Sequence, residues 1–521
     1  MSDTTDNRIT RLFTLDNVLC FLLTVYITLN IYFSSPMPLI LSLIFGIGGF
    51  VFIKLLYKKA DTLNISEYGH FEKRELLLFL TLILIVDIVA IAWNYPASME
   101  PDAMSQYRQA LKNKYTDWHP LFHTLIFFKL PTAIWQDYTS CAIFQCGFIA
   151  LVLLYFCFFC RKYFLSKKLT TILLLFILAN PIYLKMATKP LKDIPFSYCM
   201  MLATIFLIEI YITNGTWLKQ KRNKILFGLV CFGIVFFRHN GIANFLLMIA
   251  ALIIFYKDNQ KFIIWFSTIF LVVRFIITVP VYNILDIGKN GGVSEMLGVP
   301  LNQISYIYNN GGIVFQDELA IMNRISNLEN WKKFYRKNNF NNIKFKKGTP
   351  NNYDKEYVKQ NYKEILKIWI HMAYRNPILA CKSYFYVISP IWGISKRINF
   401  TESKHNKIEY CGPQWVRTTM DNYVLILEKT HLKHFLLDIG EGLMLILLSL
   451  SLTIRRMRLD YKALIPYILV LSNIVIIMCL ITGSEKRFVY SSILCAYPLI
   501  LYALCNKITR TASNSEAPLS A

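Results

Sequence analysis

MEPDAMSQYRQALKNKYTDWHP, residues 99–120, follows directly on an apolar run that ends near Trp93. The run has the length of a membrane-crossing helix, and the polar stretch places Glu100, Asp102, Asp117 and His119 where such a helix would surface. Whether the rest of the chain repeats this alternation decides the fold class.

It does. With 55% hydrophobic and 15% aromatic residues in 521, the chain carries more apolar surface than a soluble globule can hide, and much of it lies in long runs. A bilayer core of about 30 Å needs roughly 20 apolar residues per helix, and about twelve runs qualify. They lie near 17–34, 38–57, 75–93, 138–160, 169–184, 195–213, 225–237, 241–256, 261–283, 436–454, 463–482 and 488–505. The expected fold is an all-α polytopic membrane protein of about twelve spans.

The first run is read as a retained helix. Its flank (Asp3, Asp6, Arg8, Arg11) is mixed in charge and no small-residue cleavage site follows. Most cysteines fall inside the runs, where a free thiol acts as a small hydrophobe. Cys381 and Cys411 share a polar region and would be free to pair if it faces an oxidising compartment.

Short basic loops set the orientation. Lys58, Lys59, Lys73 and Arg74 follow span 2; Arg161, Lys162, Lys167 and Lys168 follow span 4. Lys219, Lys221, Arg222 and Lys224 follow span 6, and Arg455, Arg456 and Arg458 follow span 10. The positive-inside rule puts these loops and both termini in the cytoplasm. The sequon Asn214-Gly215-Thr216 is then on the wrong side for glycosylation.

The opposite loops are external. The expected division is residues 1–283 with spans 1–9 and a first external loop at 94–137, a large external region at 284–435, and 436–521 with spans 10–12 and a cytoplasmic tail. Pro120 to Trp135 is apolar, but counting it as a span would put Arg161 and Lys162 outside, so it reads as a half-buried external segment. Ser105 to Lys112 reads as a short interfacial helix. The large region has roughly twice as many Lys and Arg as Asp and Glu, which long translocated loops tolerate. It reads either as a lid over a lipid-facing cavity, suited to an anionic partner, or as a solvated surface with a Lys and Asn bias. Its tail, Ile365 to Ser395, is suited to the membrane interface. No internal repeat is present, and no GxxxxGK[ST] or GxGxxG, which argues against ATP-driven transport. Nothing points to nucleic acid.

A single carboxylate at a membrane surface is most simply a helix end held in water. The constellation is more specific: Asp102, Gln106 and Gln109 at helical or near-helical spacing, then Asp117-Trp118-His119-Pro120, cluster acid, amide, aromatic and imidazole groups beside one cavity. An external Asp after a membrane helix, a Gln one turn on, an aromatic-His-Pro motif and an apolar half-span resemble the first external loop of GT-C glycosyltransferases. The likeness continues with Lys189-Pro190-Leu191-Lys192-Asp193, Arg238-His239-Asn240-Gly241, Gly298-Val299-Pro300-Leu301-Asn302-Gln303 and Glu485-Lys486-Arg487-Phe488, and covers most of residues 75–505. In plan it is similar to the serotype-converting glucosyltransferases of O-antigen.

The resemblance implies a GT-C type fold and transfer of a sugar from an undecaprenyl-phosphate carrier to an envelope glycan such as O-antigen or teichoic acid. The reaction would run on the outer face of the bacterial cytoplasmic membrane, with a donor-synthesising glycosyltransferase and a flippase upstream. Such transfer needs a base for the acceptor hydroxyl and cations for the departing phosphate. By the family's placement Asp102 is the base, and Arg487 and Lys192 are the phosphate candidates. Gln106, His119, Asp193, Arg238, His239 and Asn240 complete the expected substrate-binding set.

Plainer roles stand beside these. Asp193 pairs with a nearby Lys, His119 caps an apolar segment, Arg238 and His239 anchor a helix end, and Arg487 snorkels. Arg274, inside a span, must face the bundle or a water-filled cavity, whether it holds a lipid phosphate or a structural partner. Glu100, Asp102 and Asp193 would be the ligands if a divalent cation took part, but their spacing has no diagnostic pattern, and a cofactor-free mechanism is expected. A transporter of lipid-linked glycan, or an O-antigen polymerase or ligase, would share the spans. A transporter should instead show inverted repeats with binding groups at mid-membrane.

Overall fold

The computed structural model describes residues 14–34, 38–62, 71–98, 100–288, 296–344, 353–393, 410–430, 441–456, 460–481 and 486–505. Every one of the twelve apolar runs falls on helix, and no strand forms among the described residues. Eight helices are long and apolar enough to cross a membrane, and a ninth span results if one bent pair is counted as a unit. The architecture is that of an all-α, multi-pass membrane protein. The N-terminal flank to Arg11, Arg458, Glu485, the start of the run at 436 and the tail beyond Cys505 lie outside the described residues.

The run at 169–184 is not one straight span. It breaks into Lys167–Ala179 and Pro181–Ala187, bent by 67°. Pro181 drives its predecessor out of the helical region, and Asn180 is extended at φ −69°, ψ 121° while its side chain accepts from Ile182 N–H. The helices Lys221–Phe236, Gly241–Phe255 and Glu441–Arg456 have 16, 15 and 16 residues, short of a full crossing by length alone.

Asp193–Ile212 forms the axis of the bundle. It is apolar on all sides and buried along nearly its whole length, as expected of a helix surrounded by others. Lys221–Phe236, Tyr138–Tyr163, Ile465–Leu480 and Tyr490–Leu504 pack around it. Pro195 sits in its first turn, where the backbone N–H has no helical acceptor to lose. At the end that the loop charges assign to the cytoplasm, basic residues tie helices together. Arg161 bonds Glu75 at 2.9 Å, and Arg455 meets Asp16 at 2.9 Å and Asp61 at 2.7 Å.

At the other end, Pro101–Lys112 forms the short helix expected there and starts four residues earlier than Ser105, with Pro101 suited to its first turn. Leu121–Ile134 follows as a 14-residue apolar helix with a π-turn at Leu125–Lys129, packed through Phe122 and Phe127 on Phe232, Phe236 and Phe237.

The large region beyond residue 296 has its own apolar core, centred on Leu301, Met322, Ile325, Trp331, Ile365 and Met372. Its tail reaches the spans: Tyr384 Oη donates to Met478 O at 3.3 Å, and Tyr26 Oη donates to Trp392 O at 2.7 Å. The helix Gln414–Lys429 lies against Lys73–Asn94, with Trp93 Nε1 donating to Asp421 at 3.0 Å. Cys381 and Cys411 are both exposed.

Candidate functional site

Five chain segments bring charge together at one end of the bundle. Helix Pro101–Lys112 supplies Asp102, and its N-cap supplies Glu100. The Lys189 to Asp193 turn opens the axial helix, the Arg238 turn follows Lys221–Phe236, His119 precedes Leu121, and Arg487 precedes the last helix. The hub is Arg487, whose guanidinium donates to Asp102 Oδ2 at 2.8 Å and reaches Glu100 at 3.5 Å and Asp193 at 3.7 Å. Asp193 is fully buried and also faces Arg238 at 3.3 Å. Neither of its oxygens has a hydrogen bond of good geometry, so ion pairing carries its charge. Lys189 bonds Glu100, and Lys192 Nζ lies 3.4 Å from His119 Nδ1.

Aromatic faces hold the cations in place. Arg238 lies over the rings of Phe196 and Phe488 at 5.4 and 5.0 Å, and Arg487 over Phe488 at 5.3 Å. Gln145 Nε2 lies within 3.1 Å of the carbonyls of Met186, Ala187 and Lys189, which fixes the lysine turn from below.

The charges shift one another. Burial alone would raise the Asp102 carboxyl, but Arg487, Lys192 and His119 outweigh it and hold the group below its usual range. Asp102 is therefore ionised at neutral pH. His119 is pushed down to about 4 by burial and by Lys192, against the pull of Asp102. It is neutral, with Nδ1 accepting from Lys192, so Nε2 bears the proton. That N–H is buried without a hydrogen-bond partner among the described residues. Burial also lowers Lys192, although Asp193 and Asp102 counteract it.

Not every expected residue joins the cluster. Gln106 sits one layer behind, where Nε2 donates to His123 Nδ1 at 2.9 Å and Thr124 Oγ1 at 2.8 Å; it positions the loop from within. His239 turns aside to Asp117 at 4.0 Å, and Asp117 also accepts from Tyr282. Burial lowers His239, with Asp117 opposing. Asn240 serves the turn through its backbone, whose carbonyl accepts from Ala243 N–H at 3.2 Å. Asn302 and Gln303 belong to the core of the large region, bonded to Ser383 and to Ala380 O and Trp369.

Sequence reasoning undervalued Glu100, Lys189 and His123. Lys189 stands three residues before Lys192 in the same motif, and His123 four residues after His119, so the recurrence of the same residue type within each motif was the available signal.

The Arg487 guanidinium itself stands among Glu100, Asp102 and Asp193, and among the described residues no group of three His, Cys, Asp or Glu is arranged to hold a metal.

Fold and site define a multi-pass helical membrane protein with a cation-rich polar cluster at one end of its bundle. The chain belongs to DUF6020, a family of unknown function whose model matches residues 110–516. No curated protein and no solved structure matches it.

Proposed function

We propose that the protein is a membrane-embedded glycosyltransferase of GT-C type. It moves a sugar from an undecaprenyl-phosphate carrier to a cell-envelope glycan on the outer face of the bacterial cytoplasmic membrane. The observation that carries this reading is the convergence of Asp102 with Arg487, Lys192 and His119 at one end of the spans. Four cations (Lys189, Lys192, Arg238, Arg487) face three carboxylates (Glu100, Asp102, Asp193), which leaves one positive charge in excess. A phosphodiester carries one negative charge and would balance it.

The ion pair sets the order of events. In the resting arrangement Asp102 is ionised but held by Arg487. Donor phosphate entering the cluster competes for the guanidinium, frees the carboxylate, and leaves Asp102 to take the acceptor hydroxyl's proton. Arg487 and Lys192 then stabilise the departing phosphate, and the unpartnered His119 Nε2–H offers a donor to sugar or phosphate oxygen. The twelve-span topology with cytoplasmic termini, and partners that make and flip the donor, belong to this reading.

The test is deletion of the gene, mass spectrometry of the envelope glycan, and complementation with wild type or Asp102→Asn. Loss of a sugar-sized mass, restored by wild type alone, supports the reading. An unchanged mass, or full restoration by Asp102→Asn, overturns it.

A further inference from the structure

The Pro101–Lys112 helix has a second polar face that the site above does not use. A cleft of about 330 Å³ is lined by Pro101, Ser105, Arg108, Gln109, Lys112 and Lys114, with Thr116 closing it. Ser105, Arg108, Gln109 and Lys112 fall at i, i+3, i+4 and i+7, so they share one stripe. Asn113 caps the helix in the left-handed region, φ 51°, ψ 29°, and folds the chain back so that Lys114 and Thr116 form the opposite wall. Gln109 Oε1 fixes that wall by accepting from Thr116 N–H at 3.0 Å.

The lining is cationic and its cations are uncommitted. Arg108, Lys112 and Lys114 make no ion pair among the described residues, whereas Lys189, Arg238 and Arg487 on the neighbouring face are all paired. Ser105 adds a hydroxyl, and no carboxylate lines the cleft. Asp102 lies three residues before Ser105 and seven before Gln109, at the edge of the same stripe, and Pro101 is part of the cleft wall. The cleft therefore leads to the carboxylate proposed as base.

We propose that this cleft binds the acceptor, and that the acceptor is an anionic glycan bearing phosphate or carboxylate groups along its chain. The inference rests on the glycosyltransferase reading and specifies its second substrate. Three unpaired cations select a repeating anion, and the hydroxyl and amide groups suit the polyol between the charges.

The experiment uses the full chain in nanodiscs of zwitterionic lipid, with calorimetric titration of an oligo(glycerol phosphate) and of an uncharged dextran of similar length. Wild type should bind the phosphate oligomer at least about tenfold more tightly than dextran, more weakly as salt rises. The triple variant Arg108→Gln, Lys112→Gln, Lys114→Gln should lose that preference while keeping the wild-type melting temperature. Equal affinity of the two oligomers, or unchanged affinity in the variant, overturns the proposal. Repeating the titration with phosphatidylglycerol in the disc distinguishes a lipid headgroup: if that lipid abolishes oligomer binding to wild type, the cleft is a lipid site and the acceptor assignment falls. The titration reads acceptor binding alone and the mass of the envelope glycan reads sugar transfer, so failure of this inference and failure of the glycosyltransferase reading are told apart.

Discussion

Arg487 and Asp102 meet at 2.8 Å across 385 residues of chain, and the same guanidinium faces the fully buried Asp193. Removing a partner from a buried ion pair typically costs 3–5 kcal/mol, because the remaining charge is left uncompensated. Arg487→Gln should destabilise the protein in detergent by an amount of that order, read as a lower melting temperature. Arg487→Lys should not fully restore it, since a point charge cannot address three carboxylates at once. Adding Asp193→Asn to Arg487→Gln should recover part of the loss. A single variant that melts like wild type would remove Arg487 from its place as hub.

Acid should weaken the site before it unfolds the bundle. His119 titrates near 4 in the folded protein and near 6.5 when unfolded, so between those values the unfolded chain binds the additional proton. Stability tied to His119 is thus present above pH 6.5 and declines as pH falls toward 4, by at most about 3 kcal/mol. Asp102, also depressed, adds a loss in the same direction at lower pH. Melting curves from pH 7 to pH 4 should fall less steeply in His119→Gln than in wild type.

The turn that carries Arg238 depends on a missing side chain. A Cβ at Gly241 would lie 1.7 Å from Ile234 O, inside the backbone of the preceding helix. Gly241→Ala should therefore displace the Arg238 turn and sharply reduce both folded yield and any activity. Gly48→Ala, where a Cβ meets nothing within 4 Å, should be neutral or slightly stabilising. Folded yields from size-exclusion profiles of the two variants make the comparison.

Thiol labelling tests the orientation. Cys381 is exposed and free, in the region that the loop charges are expected to place outside. In intact cells Cys381 should react with a membrane-impermeant maleimide, and reaction only after lysis would invert the topology.

The apolar helices were legible because each is a local run, although among the described residues eight or nine of the twelve runs are long and apolar enough to cross a membrane. The placement of Asp102, Lys192, Asp193 and Arg487 was legible because each sits beside the end of such a run. The inward turn of Gln106 and the turn-bound role of Asn240 were not legible. Spacing gives the face of a helix, but which face meets a neighbour depends on packing partners such as His123 and Thr124. The break at Asn180-Pro181 was signalled by the proline, yet hydropathy alone merged the two helices. Asn302 and Gln303 resembled site residues in their motif, but the separate core around Trp331 claims them.

Arg487 stands at the threshold of the helix Tyr490–Leu504, whereas the acidic groups it serves are made hundreds of residues earlier. As the polypeptide leaves the ribosome, Asp193 is threaded into the bundle with Arg238 as its available counter-charge, and Asp102 has no guanidinium to hold it. The last described helix therefore brings the guanidinium that takes the cluster from neutral to one positive charge in excess. A polypeptide stalled before it holds three cations (Lys189, Lys192, Arg238) against three carboxylates (Glu100, Asp102, Asp193), and docking of that helix supplies the positive charge in excess on which the proposed phosphate binding depends.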